Sequence, residues 1–284
     1  MSRLSEQLAA GRFVVTAELA PPKGTNLDSV LQKAASFTDV DAVNVTDNQG
    51  ANMRLSPLVL AARLQQMGTE TILQLTCRDR NRMALQSDLL GAATFGIENL
   101  LLLSGDHSKF GDQPDSRPVF DLDSVQLLDM TAGLMNGVDM VGKPLDGIPR
   151  FFPGAAANPA AEPFELMFQK VDKKVQSGAR FFQTQAVFDR AALERFMTAM
   201  APLGVPVIAG VLLIRHGRMA RFLNEHIPGV QVPAALITRF DQAVDPLAEG
   251  VALARETVAW ARDLCQGVHL MTLGHEDRIP ELLA

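Results

Sequence analysis

The chain has 284 residues, 47% hydrophobic and 20% charged, enough to bury a large core, which excludes a disulfide-stapled miniprotein and a disordered tail. A formal net charge of −6 without a long basic run argues against nucleic acid as a partner. Two widely separated cysteines, Cys77 and Cys265, form neither a CxxC pair nor a metal-spaced cluster, and no signal-peptide core or run near the roughly 20 apolar residues of a membrane span is present, so the sequence reads as soluble and cytoplasmic.

Apolar and β-branched runs bounded by turn residues recur along the chain, each followed by a segment of helical apolar spacing. The expected strands are FVVTAEL from Phe13, AVNVT from Ala42, TILQLT from Thr71 and NLLLLSG from Asn99. They continue with RFFPGAA from Arg150, RFFQTQ from Arg180, PVIAGVLL from Pro206 and GVHLMT from Gly267. Five of the seven start-to-start intervals fall between 26 and 30 residues, the length of one βα unit. The fourth interval is longer, holding the polar stretch Asp106 to Pro118, a helix expected from Asp121 and the loop GKPLDGIP. The seventh is longer still, with two extra helical segments around Arg218 to Asn224 and Val232 to Phe240. Among the helices, Phe164, Phe168, Val171 and Val175 mark the clearest apolar face.

Strands that are apolar on both faces belong to a parallel sheet covered on both sides. Eight βα units over about 250 residues predict an α/β fold, a single (β/α)8 TIM barrel over residues 1–284, with an open α/β sheet as the alternative. In a barrel the reactive end is the carboxyl end of the strands, and the residues closing the runs are polar. They are Glu18; Thr46, Asp47 and Asn48; Thr76 to Asp79; Ser104, Gly105 and Asp106; Asn158; Thr184 and Gln185; and Thr272. Two acids and several amides are thus expected on one rim, without a histidine common to them.

Glu18 closes an otherwise apolar strand, and apolar surroundings favour the neutral, proton-donating form of a carboxyl group, which suits a general acid; a carboxylate paired with a nearby arginine is the plain alternative. Asp106 follows a glycine that permits close backbone approach, although aspartate is also an ordinary turn residue. Gln185 offers a donor and an acceptor to an amide-like heterocycle.

Other motifs fall away. GVDMVGK (Gly137 to Lys143) has phosphate-loop spacing, but Pro144 stands where the magnesium-binding Ser/Thr belongs and no strand precedes it. No GxGxxG supports a dinucleotide fold. His107, His216, His226, His269 and His275 have no metal-ligand spacing, so no metal site is expected.

Taken in order, TAELAPPKG, VNVTDN, LQLTCRDRN, ENLLLLSGD, KKVQSGARFFQTQAVFD and GVHLMTLG resemble the methylenetetrahydrofolate reductase family, flavin-dependent (β/α)8 enzymes of one-carbon metabolism. The resemblance implies FAD on the barrel rim, reduced by NADH or NADPH, and hydride transfer to 5,10-methylenetetrahydrofolate to give 5-methyltetrahydrofolate. By position it implies Glu18 as general acid, Asp106 beside flavin and pterin, and Gln185 against the folate. Thr46, Ala155, Ala157, Asn158 and Lys174 fall where the family contacts the flavin, with Lys174 facing a diphosphate. Gln74, at a further flavin position, stands where many members have histidine; Ser104 replaces a common basic residue, and Gly217 lies near the place of an aromatic. These departures keep a second reading open: a folate-binding barrel that is flavin-free or depends on a partner reductase subunit for electrons. A homo-oligomer is also open, and inhibition through the C-terminal domain of eukaryotic members is not expected.

Overall fold

The computed structural model describes residues 1–227 and 229–284. Its strands are β1 (Val14–Leu19), β2 (Ala42–Val45), β3 (Thr71–Thr76), β4 (Asn99–Leu103), β5 (Phe152–Ala157), β6 (Phe181–Ala186), β7 (Val207–Leu212) and β8 (Gly267–Met271). All eight expected strands are present, and they close in sequence order into a parallel barrel, with β1 paired to both β2 and β8. The flanking Phe13, Arg150, Arg180 and Pro206 lie just outside the ladders, where strand ends fray.

The helices are α1 (Arg3–Ala9), α2 (Asp28–Ala35), α3 (Pro57–Gln66), α4 (Arg82–Thr94), α5 (Ser124–Met135) and α6 (Phe164–Gln176). They continue with α7 (Arg190–Met200), α8 (Gly217–His226), α9 (Ala234–Gln242), α10 (Pro246–Leu264) and α11 (Ile279–Leu283). The helix expected from Asp121 starts at Ser124 because Asp123 forms a capping box with Gln126. In the seventh interval, α8 and α9 are the two extra helices, and α10 is the crossover to β8.

Strand pleating sorts side chains into two cores. Outward residues such as Val43, Val45, Leu73, Leu75, Leu100 and Leu102 pack under the helices in one large cluster. Inward residues Val14, Ala42, Ile72, Leu101, Phe181 and Ile208 fill the amino end of the barrel, which Leu4 and Leu8 of α1 plug. At fully buried side-chain sites such as Phe181, this lower layer supplies about 1.5–3 kcal/mol per residue. The next inward layer is polar: Thr16, Asn44, Gln74, Gln183 and His269 are all buried. A polar interior above an apolar plug places the ligand-facing part of the barrel at the carboxyl end.

Candidate active site at the carboxyl rim

Because every strand runs the same way, Glu18 on β1, Thr46 after β2, Asp106 after β4 and Gln185 on β6 share one end of the barrel. The Glu18 side chain is 11% exposed, and Gln49 Nε2 donates to its Oε1 at 2.8 Å. Thr46 is buried, and its hydroxyl oxygen has no hydrogen-bond partner among the described residues. Asp106 and Gln185 are exposed at the rim. Near Gln185 the β6–β7 register shifts between Gln183 and Ala186, and Thr184 Oγ1 accepts from Gly210 N at 2.8 Å.

The expectation of a rim without a shared histidine is corrected. His269, in the middle of β8, is fully buried, and its Nε2 lies 3.8 Å from Glu18 Oε2. The register pairs Thr16 with His269, so the ring sits in the layer directly below Glu18. Its Nδ1 lies 3.0 Å from Thr16 Oγ1 and 3.2 Å from Asn44 Nδ2, while Asn44 Oδ1 accepts from Gln74 Nε2 at 3.2 Å. The signal was available: a histidine inside an apolar strand, at the inward parity. Gln183, also missed, turns a buried Oε1 without a partner into the same interior. After β7, Arg215 likewise has a buried Nε without a hydrogen-bond partner among the described residues.

A second network fixes the loops above this interior. Asp47, whose side chain is 0% exposed, accepts from Thr76 N at 2.8 Å, Thr76 Oγ1 at 2.9 Å and Arg80 Nη1 at 2.7 Å. Arg80 also donates to Asp88 at 2.8 Å. Arg78 grips both oxygens of Asp79, at 2.9 and 2.7 Å, and donates to the carbonyls of Asn48 and Asp106, each at 3.2 Å. Burial pushes the Asp79 carboxyl upward, but hydrogen bonds from Arg78 and Asn48 and the arginine charge bring it below the usual carboxylate range. Gly105, at φ +89°, is needed where the chain passes Thr76 and Arg78, since a Cβ there would lie 3.0 Å from Thr76 Cβ. At Gly111 a Cβ would collide with the carbonyl of Ala51; Asp112 accepts from Met53 N at 2.9 Å and pairs with Lys23. The loop after β4 is therefore clamped to the loops after β1 and β2.

The remaining expected positions divide by strand parity. Gln74 lies in the interior polar layer. Ala155 and Ala157 point their side chains into the core beneath the helices and away from the barrel interior. Asn158 braces its loop, donating to Gly229 O at 2.8 Å and accepting from Ala160 N at 3.1 Å. Lys174, on α6, donates to Ala156 O at 2.7 Å. Burial, with Lys170 nearby, brings its amine down to about 8. Cys77 is buried, and burial together with the Asp123 charge pushes its thiol up to about 12, which makes it an inert packing residue. At Gly217, which opens α8, a Cβ would collide with Asp241 Oδ1, so a side chain there requires the exposed Asp241 carboxyl to move. Ser104 Oγ accepts from Ser124 N at 3.2 Å, tying the rim to α5.

Gly137 to Lys143 lies beyond α5 in a turn closed by Asp139, whose N donates to Lys143 O at 2.9 Å, unlike a strand-to-helix phosphate loop. Among the described residues no cluster of three or more His, Cys, Asp or Glu is arranged to hold a metal, and no helix is long and apolar enough to cross a membrane.

A family model described as methylenetetrahydrofolate reductase matches residues 3–284. A probable methylenetetrahydrofolate reductase (NADH) of Oryza sativa subsp. japonica is 27% identical, the match covering 97% of this chain and 48% of that protein. A probable methylenetetrahydrofolate reductase (NADPH) of Caenorhabditis elegans is 23% identical over 94% of this chain and 41% of its own length. The 5,10-methylenetetrahydrofolate reductase of Pectobacterium carotovorum subsp. carotovorum is 24% identical over 84% of this chain and 77% of its own. The chain thus spans about half the length of the rice and nematode relatives. Among solved structures, an uncharacterized Clostridium thermocellum protein described as binding two copies of 5-methyl-5,6,7,8-tetrahydrofolic acid aligns with a TM-score of 0.67 at 15% identity, covering 99% of this chain and 95% of that one. At that identity the likeness is one of fold.

Proposed function

The chain belongs to the methylenetetrahydrofolate reductase family, and from that premise we propose that its barrel, residues 1–284 acting as one catalytic domain, reduces 5,10-methylenetetrahydrofolate to 5-methyltetrahydrofolate with NADH or NADPH as electron source and FAD as carrier. The observation that carries this reading is the nearly buried Glu18 carboxyl above an interior in which two buried polar atoms, Thr46 Oγ1 and Gln183 Oε1, have no partner among the described residues. Such atoms cost free energy unless a ligand pairs with them. Their mixture of donors and acceptors fits the edge of a pterin or an isoalloxazine. The fold neighbour described as binding 5-methyltetrahydrofolic acid supports a folate as the ligand of this barrel.

In this reading Glu18 donates a proton to N10 of the folate as the bond from the bridging carbon to N10 breaks. The electrons of that bond go to N10, leaving a cation over N5 and the former bridging carbon, which a hydride then quenches. Bound flavin supplies two-electron carriage between nicotinamide and folate. Asp106, held by Arg78 through its backbone carbonyl, sets a negative charge near the developing cation. Gln185 reads the pterin amide. Thr46 and Gln74 line the flavin side from the interior, and Ala155, Ala157 and Asn158 from the loop after β5. Lys174 braces that segment through the Ala156 carbonyl. Arg215 suits an anionic group of either ligand. The reading also places the protein in the cytoplasm.

One observation favours a second reading, a folate-binding barrel without its own flavin: the Lys174 amine is committed to a backbone carbonyl and lowered to about 8, which weakens it as a partner for a diphosphate. Purification decides between them. A yellow protein with a flavin absorption band, forming 5-methyltetrahydrofolate from methylenetetrahydrofolate and NADH or NADPH, supports the reductase. A colourless protein that binds folate yet forms no product, even with added FAD, supports the second reading.

A further inference from the structure

The Glu18 carboxyl is held from two sides: Gln49 reaches Oε1 from the loop after β2, and the His269 ring lies below Oε2. Gln49 is a donor. What His269 presents depends on its tautomer, which its surroundings determine. Asn44 takes a hydrogen bond from Gln74 on its oxygen, which turns its NH2 toward His269 Nδ1. Thr16 faces the same nitrogen with a hydroxyl that can give or accept. A neutral ring that accepts at Nδ1 carries its proton on Nε2. That proton faces the Glu18 carboxyl, whereas the opposite tautomer would set a lone pair against the carboxylate that Glu18 becomes once it has given up its proton.

We propose that His269 is a positioning residue for Glu18, held as the Nε2–H tautomer by the Asn44–Gln74 amide pair. The role rests on Glu18 being the general acid in the reading above. At 3.8 Å the contact is longer than a hydrogen bond; a small rotation of the carboxyl group closes it. His269, fully buried beneath Glu18, acts through that carboxyl group. When Glu18 releases its proton, the resulting carboxylate has a donor on each oxygen, so the charge that remains on the enzyme is stabilised as it forms. The buried Nε2 gains a partner in the same step.

Two measurements test the proposal. The first needs no catalytic activity: NMR of the purified protein with 15N-labelled histidine reads the tautomer, and the side-chain carboxyl carbon of Glu18 is followed in a 13C-labelled sample. The expected results are a protonated Nε2 and unprotonated Nδ1 at His269, and a Glu18 carboxyl resonance that moves in His269→Leu and returns toward its original position in His269→Gln, which retains an N–H donor. Asn44→Asp replaces the donor at Nδ1 by an acceptor and should put a proton on Nδ1. A wild-type ring protonated on Nδ1 alone, or a Glu18 resonance indifferent to His269→Leu, overturns the proposal. The second measurement is single-turnover folate reduction. His269→Leu should slow it roughly 10- to 100-fold, the scale of a misplaced catalytic group, with little change in KM; His269→Gln should recover part of the rate, and His269→Leu should add nothing in a Glu18→Gln background. Additive losses, or His269→Gln no better than His269→Leu, overturn the role. Absence of folate reduction in the wild type overturns the functional reading instead, and the NMR result still decides the tautomer.

Discussion

Arg78 holds Asp106 by its backbone, donating to the Asp106 carbonyl at 3.2 Å while its other nitrogens grip Asp79. The arginine side chain is 3% exposed, against 35% for Asp79. A rim acid thus owes its place to a buried cation from the loop after β3, which also takes the Asn48 carbonyl. Arg78→Ala should therefore leave two carbonyls and a carboxylate without their donor. The expected loss is about 2–3 kcal/mol, below the full cost of breaking a buried pair because Asp79 is partly exposed. Urea unfolding at neutral pH reads it. The sign with pH follows from the lowered Asp79 carboxyl: the pair's contribution is present above the ordinary carboxylate value and is lost as pH falls through the depressed folded value. The gap between wild type and variant should close in acid, and a gap that widens there would contradict the pairing.

Lys174 makes the opposite prediction. Its amine titrates near 8 in the folded chain because burial disfavours its charge, against about 10.4 for a free lysine. The unfolded chain therefore binds more protons between those values, so stability rises with pH across that window. At neutral pH the lysine carries a penalty of up to roughly 3 kcal/mol, relieved as pH passes 8 toward 10. Urea midpoints of wild type and Lys174→Met at pH 7 and pH 9.5 should diverge in the wild type's favour at the higher pH. An unchanged difference would show that the lysine is charged and solvated in the folded protein.

The loop after β4 gives a third test. A side chain at Gly111 collides with the Ala51 carbonyl, so Gly111→Ala should lift the segment from the loop after β2 and expose it to protease, while the barrel melts within a few degrees of wild type. Equal proteolysis of the two proteins would show that the clamp rests on Asp112 alone.

Asp106→Asn tests the charge at the rim. In the proposed reaction, removing the carboxylate takes a counter-charge from the folate cation and a repulsive charge from reduced flavin. Bound flavin should then be easier to reduce, by redox titration, while single-turnover folate reduction slows. No change in either would make Asp106 a turn residue only.

The barrel was legible because eight apolar-rich runs recur, five of the seven intervals matching one βα unit, and Glu18 stood out as the carboxylate that ends such a run. Strand parity, also legible, sends Ala155 and Ala157 outward into the helix core, and His269 inward beneath Glu18. The loop network was not legible. Asp47, Arg78, Arg80 and Asp106 come from three different loops, and only closure of the barrel brings them together. The hydrogen bond of Lys174 was not legible for a different reason. Its flexible stem reaches the β5 carbonyl of Ala156, a choice that helix periodicity does not record.

The most direct test of the functional account is Glu18→Gln, with its two half-reactions followed separately by stopped flow. The amide keeps the size of the side chain but cannot donate the acidic proton. The account predicts that reduction of bound flavin by NADH or NADPH stays near wild type while methylenetetrahydrofolate reduction falls by about 10²- to 10⁴-fold, the worth of a general acid. A folate step at the wild-type rate, or equal damage to both half-reactions, would contradict it.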